Sequence, residues 1–146
     1  MNLKIIPASL NDLANILKIE NACFSSPWSE QSLKESLENP ASRFYIAYAD
    51  GDLAGYMGLQ IFSGEGYVTN VATLPEYRRK GVARALINAA LKNDMEFITL
   101  EVRESNSPAI SLYSLFGFER VGVRPNYYSN PTENAVLMTK FIKDNE

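Results

Sequence analysis

Apolar residues recur at two different spacings along the chain, and the switches between them mark the elements. Residues 2–6 predict a short strand ended by Pro7. Ser9, with Asp12 three positions on, resembles a capping box opening a helix whose apolar side carries Leu10, Leu13 and Leu17. After a break at Ser25-Ser26-Pro27-Trp28, Ser29 is the N-cap of a short helix with Leu33 and Leu37 that ends near Pro40. Arg43 to Ala49 and Leu53 to Phe62 predict two strands joined by an Asp50-Gly51 hairpin turn. Gly64-Glu65-Gly66 is a second tight connection, leading into a strand from Tyr67 to Leu74.

After Pro75 the period changes. Val82, Ala85, Leu86, Ala89 and Ala90 follow the spacing of an amphipathic helix. Phe97 to Val102 predicts a buried strand. Asn106 caps a further helix, with Pro108 in its first turn and Gly117 at its end. Phe118 to Val123 and Glu133 to Phe141 predict the last strands. The order βααβββαβαββ, without repeat or linker, predicts a single α/β domain over residues 1–146 with a mixed (α+β) sheet.

Composition narrows the function. The 146 residues are 46% hydrophobic and 21% charged, the profile of a globular protein and not of a disordered one. A formal charge of −3 lacks the basic excess of a nucleic-acid binder. The first apolar patch, broken by Pro7, is too short for a signal-peptide core, and no run is long enough for a membrane span. A single cysteine, Cys23, allows no internal disulfide and fits a reducing cytoplasm. The expectation is therefore a cytoplasmic protein with neither nucleic-acid nor membrane partner. The absence of histidine excludes Ser-His-Asp and Cys-His nucleophile systems and any imidazole metal site. No metal is expected, and acid–base chemistry must come from Asp, Glu, Tyr, Lys, Cys or water.

Two segments carry candidate chemistry. Arg78-Arg79-Lys80-Gly81-Val82-Ala83 lies between a strand and a helix, where backbone N–H groups lack partners and the helix dipole is positive. Small residues at Gly81 and Ala83 let a pyrophosphate approach that backbone, with Arg84 adding to the charge. A solvated basic helix start is the other reading of the same residues. The nucleotide P-loop pattern is absent, as is GxGxxG. The second segment is Asn106-x-x-Ala109-x-x-Leu112-Tyr113-x-x-x-Gly117-Phe118. Taken alone it is a capped helix whose Ala109, Leu112, Tyr113 and Phe116 share a face, with Tyr113 as a core aromatic.

The run Asn70-Val71-Ala72-Thr73-Leu74-Pro75-Glu76-Tyr77, followed by Arg78-x-x-Gly81-x-Ala83, resembles the acetyl-CoA-binding motif of the GNAT superfamily of N-acetyltransferases, [QR]-x-x-G-x-[GA]. The Asn106-to-Phe118 pattern matches that superfamily's next motif at the expected distance. Pro27-Trp28-Ser29, Leu100-Glu101-Val102-Arg103 and Asn126-Tyr127-Tyr128 resemble its ribosomal-protein alanine N-acetyltransferases, the RimI group. Ala83 stands where that group often has glycine, and Pro125 where a basic residue is often found.

The resemblance implies a GNAT domain that moves acetyl from acetyl-CoA to the N-terminal amine of a ribosomal protein, or of another peptide, by direct attack. It implies acetyl-CoA contacts at Val71, Ala72, Thr73, Arg78, Arg79, Lys80, Gly81, Val82, Ala83, Arg84 and Asn106. It implies Glu101 as the base, although a strand-end carboxylate is ordinarily exposed or salt-bridged, and Tyr113 as the proton donor to the leaving thiolate. A backbone N–H near Val71 to Thr73 is the expected oxyanion donor. Trp28, Tyr127 and Tyr128 either shape the substrate groove or are ordinary packing aromatics. Cys23, not needed as a nucleophile, reads as a buried small hydrophobe. Two alternatives stay open: transfer to another amine, such as a small metabolite or a lysine, and a non-catalytic acyl-CoA-binding module.

Overall fold

The computed structural model describes residues 1–142. Its elements are β1 (Leu3–Ala8), α1 (Leu13–Cys23), α2 (Glu30–Glu38), β2 (Ser42–Ala49), β3 (Asp52–Phe62), β4 (Glu65–Thr73), α3 (Val82–Ala90), β5 (Phe97–Arg103), α4 (Ser107–Leu115), β6 (Glu119–Tyr128) and β7 (Glu133–Phe141), with short 3-10 turns at Leu10–Asp12 and Pro75–Tyr77. This is the expected order. The strands form one seven-stranded sheet in the order β1-β2-β3-β4-β5-β7-β6. All neighbours are antiparallel except β4 and β5, whose parallel pairing requires the crossover that α3 supplies.

Each sheet face buries its own cluster. Leu86, Ile87 and Ala90 of α3 pack with Ile98, Leu100 and Val102 of β5, and Ile110 and Tyr113 of α4 join them. On the other face Ile16 and Ile19 of α1 and Leu33 of α2 cover Phe44, Ile46, Tyr56 and Ala72. In β5 the alternation is complete: Ile98, Leu100 and Val102 are buried, whereas Phe97, Thr99, Glu101 and Arg103 point to the opposite face.

Local signals held at the caps. Ser29 accepts the Ser32 N–H at 3.1 Å, and Asn106 accepts that of Ala109 at 3.3 Å. Asp12 accepts the Ser9 N–H at 2.9 Å, but the capped segment is the 3-10 turn, so Leu10 is exposed. The buried stripe of α1 is Ile16, Ile19 and Glu20, with Leu13 and Leu17 at its margin. Pro7 does not end β1, which runs to Ala8. As the sheet's edge, β1 needs hydrogen bonds on one side only and so tolerates proline. The same holds for Pro125 at the other edge, where β6 continues five residues beyond Val123, to Tyr128. The turn before β4 is Ser63-Gly64, both at positive φ, so Glu65 and Gly66 already belong to the strand.

Candidate active site

The site begins with two irregularities in β4. Its pairing with β3 steps from Val68↔Leu59 to Asn70↔Gly58, leaving Thr69 as an extra residue, a bulge. Gly58 lies opposite because a Cβ there would come within 2.6 Å of the Thr69 Oγ1. The bulge reverses the facing of the strand. Val68 and Val71 therefore both pack on the α3 side, whereas Ala72 joins the α1–α2 side. The second irregularity is that β4 and β5 pair only at Glu65↔Phe97, Gly66↔Ile98 and Tyr67↔Thr99. Beyond these they diverge around a cleft of about 690 Å³ whose lining includes Asn70, Val71, Glu101, Tyr113 and Tyr127.

Glu101 lies two residues past Thr99, the last residue of β5 paired with β4, and its side chain is 7% exposed. The Tyr67 hydroxyl donates to it at 2.6 Å, and Arg124 of β6 approaches to 3.5 Å. Burial, then the hydrogen bond to Glu101, raises the pKa of Tyr67 well above the ordinary phenol range. Burial first, then Glu101, also raises that of Tyr127. The carboxylate thus stands at the cleft wall among phenolic donors, held at its rear and open toward the cleft.

Tyr113 enters the same cleft from α4. Its ring packs in the core beside Phe118, with centroids 5.6 Å apart, so the core-aromatic reading describes its ring. Its hydroxyl makes no hydrogen bond among the described residues, and burial pushes its pKa up to about 12. It therefore carries its proton throughout the neutral range.

The mouth is built from one loop and the end of β6. Trp28 lines one side, between α1 and α2. On the other, Tyr127 and Tyr128 meet edge to face with centroids 5.0 Å apart. Arg103 organises this side: it lies 4.5 Å over the Tyr128 ring, pairs with Glu133 at 3.2 Å and donates to the Ser129 and Pro131 carbonyls. Hydrogen bonds from Ser105, then Arg103, hold the Glu133 carboxyl below its usual range. Cys23 is half-buried and lines the cleft. Its thiol donates to the Thr73 carbonyl at 3.3 Å, and burial raises its pKa, so it is a hydrogen-bonded thiol and not simply a hydrophobe.

The anion-binding candidate lies at the start of α3, beyond the lining of the cleft. Gly81 is the N-cap at φ 84°, and no side chain caps the helix there. The first backbone N–H groups of α3 therefore stay free for another acceptor. Arg78, Arg79, Lys80 and Arg84 are all exposed around them. Arg78 reaches back to the Thr73 carbonyl at 3.2 Å, and Lys80 lies 5.8 Å over the Tyr77 ring. Of the other residues assigned to acetyl-CoA, Val71 and Asn106 line the cleft. Ala72 is 4% exposed on the α1–α2 side and Val82 is buried, so they offer backbone only, while Ala83 and Thr73 are half-buried.

Sequence reasoning missed Tyr67, Arg124 and Glu20. Tyr67 was legible only as a strand residue, because its contact with Glu101 depends on the β4–β5 register. Glu20 is 1% exposed in α1. It accepts the Tyr56 hydroxyl at 2.5 Å and the Trp28 N–H at 3.0 Å, tying the loop at the mouth to the sheet. Tyr56→Phe would leave half of that buried carboxylate unpaired, at about 2 kcal/mol for a hydrogen bond to a charged group. A melting temperature lowered by several degrees is expected, and an unchanged one would show that water replaces the phenol.

A sheet split between two parallel strands, a glycine-led helix start, and a carboxylate and a phenol lining one cleft suit acyl transfer. Residues 13–118 match the acetyltransferase (GNAT) family model. A Bacillus subtilis (strain 168) protein provisionally named a ribosomal protein bS18-alanine N-acetyltransferase is 39% identical over 140 residues, covering 92% of this chain and 93% of its own. A Sulfurisphaera tokodaii N-alpha-acetyltransferase is 34% identical over 152 residues, covering 92% and 90%. The crystal structure of the Escherichia coli ribosomal-protein-S18-alanine N-acetyltransferase superposes with a TM-score of 0.91 at 28% identity, covering 99% of this chain and 97% of its own. The chain belongs to the acetyltransferase (GNAT) family, and it is an acetyltransferase. Among the described residues no group of three or more His, Cys, Asp or Glu could hold a metal, and no helix is long and apolar enough to cross a membrane.

Proposed function

We propose that residues 1–146 form one domain that transfers acetyl from acetyl-CoA to the N-terminal amine of a protein, with an alanine-start ribosomal protein as the substrate. The observation that carries this is the meeting of Glu101 and Tyr113 in one cleft, whose mouth is framed by Trp28, Tyr127 and Tyr128. The names of the relatives support the choice of amine. The protein is taken to work in the cytoplasm, without a metal and without a nucleic-acid or membrane partner.

Residues at the start of α3 fit the pyrophosphate, because free N–H groups, an open glycine and four exposed cations converge there. Past Tyr67, β4 has no ladder partner on β5. Its backbone can therefore pair with the amides of the pantetheine arm and lead the thioester into the split.

A peptide α-amine has a reference pKa of about 7.7–8.0 and is largely protonated at neutral pH, yet only the neutral form attacks. Glu101 receives the proton, directly or through one water. The amine nitrogen bonds to the carbonyl carbon, and a backbone N–H between Val71 and Thr73 holds the oxyanion. Glu101, having passed the first proton to water, accepts the second proton that the nitrogen must lose. The C–S bond breaks, and the Tyr113 hydroxyl donates its proton to the leaving sulfur and regains one from water, giving free CoA and the N-acetylated peptide. Trp28, Tyr127 and Tyr128 hold the incoming terminus, and Asn106 fixes the start of α4.

The test is acetylation of three substrates: an alanine-start peptide, its N-blocked counterpart with a free lysine, and a polyamine. Preference for the blocked peptide or the polyamine would overturn the reading. Tyr113→Phe keeps the packed ring, so its melting temperature should be unchanged while turnover falls roughly tenfold to a thousandfold, near the usual range for acid–base groups. Full activity would return Tyr113 to a purely structural role.

A further inference from the structure

Asn70 presents a polar atom that the protein itself leaves unused. It is 8% exposed, lines the cleft on β4, and its Oδ1 is buried without a hydrogen-bond partner among the described residues. Such orphans are rare in native interiors, because each forfeits the hydrogen bonds that water would have supplied. This one lies one residue after the bulge. By the reversed facing it shares the α1–α2 side of the sheet with Tyr56 and Ala72, and with the Glu101 side of β5. Its amide faces the Tyr56 hydroxyl, which is itself committed to Glu20. The Asn70 side chain is therefore oriented from behind, and its carbonyl oxygen is the group left over.

We propose that Asn70 Oδ1 accepts a hydrogen bond from the attacking amine, making Asn70 a substrate-orienting residue that selects primary amines. The inference rests on the N-terminal acetylation reading above. A neutral primary amine has two N–H bonds and one lone pair. Aiming the lone pair at a carbonyl carbon in the split requires an acceptor for N–H groups that point away from it. Glu101 stands on the β5 side of the split and takes the proton released. Asn70 stands on the β4 side and takes a proton that stays on nitrogen. The buried Glu20 carboxylate behind Tyr56 adds negative potential on the same side, favourable to an amine that arrives as ammonium.

A secondary amine carries one N–H fewer and cannot satisfy both groups. The experiment compares kcat/KM for an alanine-start peptide and the same peptide with N-methylalanine first, in wild type, Asn70→Ala and Asn70→Val. Wild type should prefer the primary amine. Both variants should lose about fivefold of that preference, the weight of one hydrogen bond. The affinity for acetyl-CoA should stay within about twofold of wild type, since one lost hydrogen bond at the amine leaves the pyrophosphate site untouched. A merely structural Asn70 would lower both peptides equally, so an unchanged preference in either folded variant overturns the assignment. Wild-type enzyme inactive on the alanine-start peptide would reject the substrate reading, and this inference with it. Activity with an unchanged preference rejects the inference alone.

Discussion

Gly81→Glu should abolish measurable acetyl-CoA binding while the protein stays folded. The backbone at Gly81 has φ 84°, a region that side chains disfavour, so any substitution brings strain of about 1 kcal/mol. That is small against a typical domain stability of about 5–15 kcal/mol. Space is not the obstacle within the protein, because a Cβ there would find only the Leu3 Cδ1, at 3.9 Å. What the carboxylate disturbs lies outside the chain. It projects at the free N–H groups of α3, where it competes for the donors and repels an incoming pyrophosphate. Gly81→Ala, which brings the strain without the charge or reach, should weaken binding far less. Calorimetry on a folded Gly81→Glu protein that finds unchanged affinity would move the pyrophosphate away from this helix start.

The contrast between Gly81 and Tyr67 explains what the sequence made legible. Gly81, Asn106 and Ser29 act through local geometry: a positive φ or a cap is decided by a few neighbouring residues, so their roles follow from spacing. The order of elements followed from periodicity for the same reason. Tyr67, Glu20 and Asn70 act through pairing. Tyr67 meets Glu101 only because β4 and β5 are in register at Tyr67↔Thr99, and Asn70 faces the cleft only because one residue bulges out at Thr69. Neither the register of a parallel pair nor a bulge leaves a composition signal. Glu20 was hidden more completely: it occupies an apolar stripe position in α1, and its partners are 8 and 36 residues away in sequence. An edge proline misled for a related reason. Pro7 read as a break until the sheet order shows that it lies on an outer strand.

Glu101→Gln should lower kcat/KM for an alanine-start peptide by roughly a hundredfold to ten-thousandfold at neutral pH, the range for loss of a general base. The substitution keeps the side chain's size, and its amide oxygen can still accept from the Tyr67 hydroxyl. What disappears is the capacity to hold a proton and the charge that pairs with Arg124 at 3.5 Å. Arg124 is itself more than half exposed, so its release into solvent should leave stability nearly unchanged. The sign of the pH effect follows from the substrate. With a reference pKa of about 7.7–8.0, the α-amine sheds its proton unaided as pH rises through that value. The variant should therefore regain part of its activity across that interval, while wild type, able to take the proton itself, gains less. Tyr113 adds no falling limb below its pKa of about 12, so the two curves should converge toward alkaline pH. Acetyl-CoA affinity should not change, because Glu101 lies in the split and away from the α3 helix start. The measurement is a pH series of kcat/KM for both proteins on the alanine-start peptide and on its N-blocked, lysine-containing counterpart. Parallel profiles would remove Glu101 as the base. A lysine side chain, with its reference pKa near 10.4, should show relief only at much higher pH. The position of the rise thus reports which amine is being acetylated as well as which residue takes its proton.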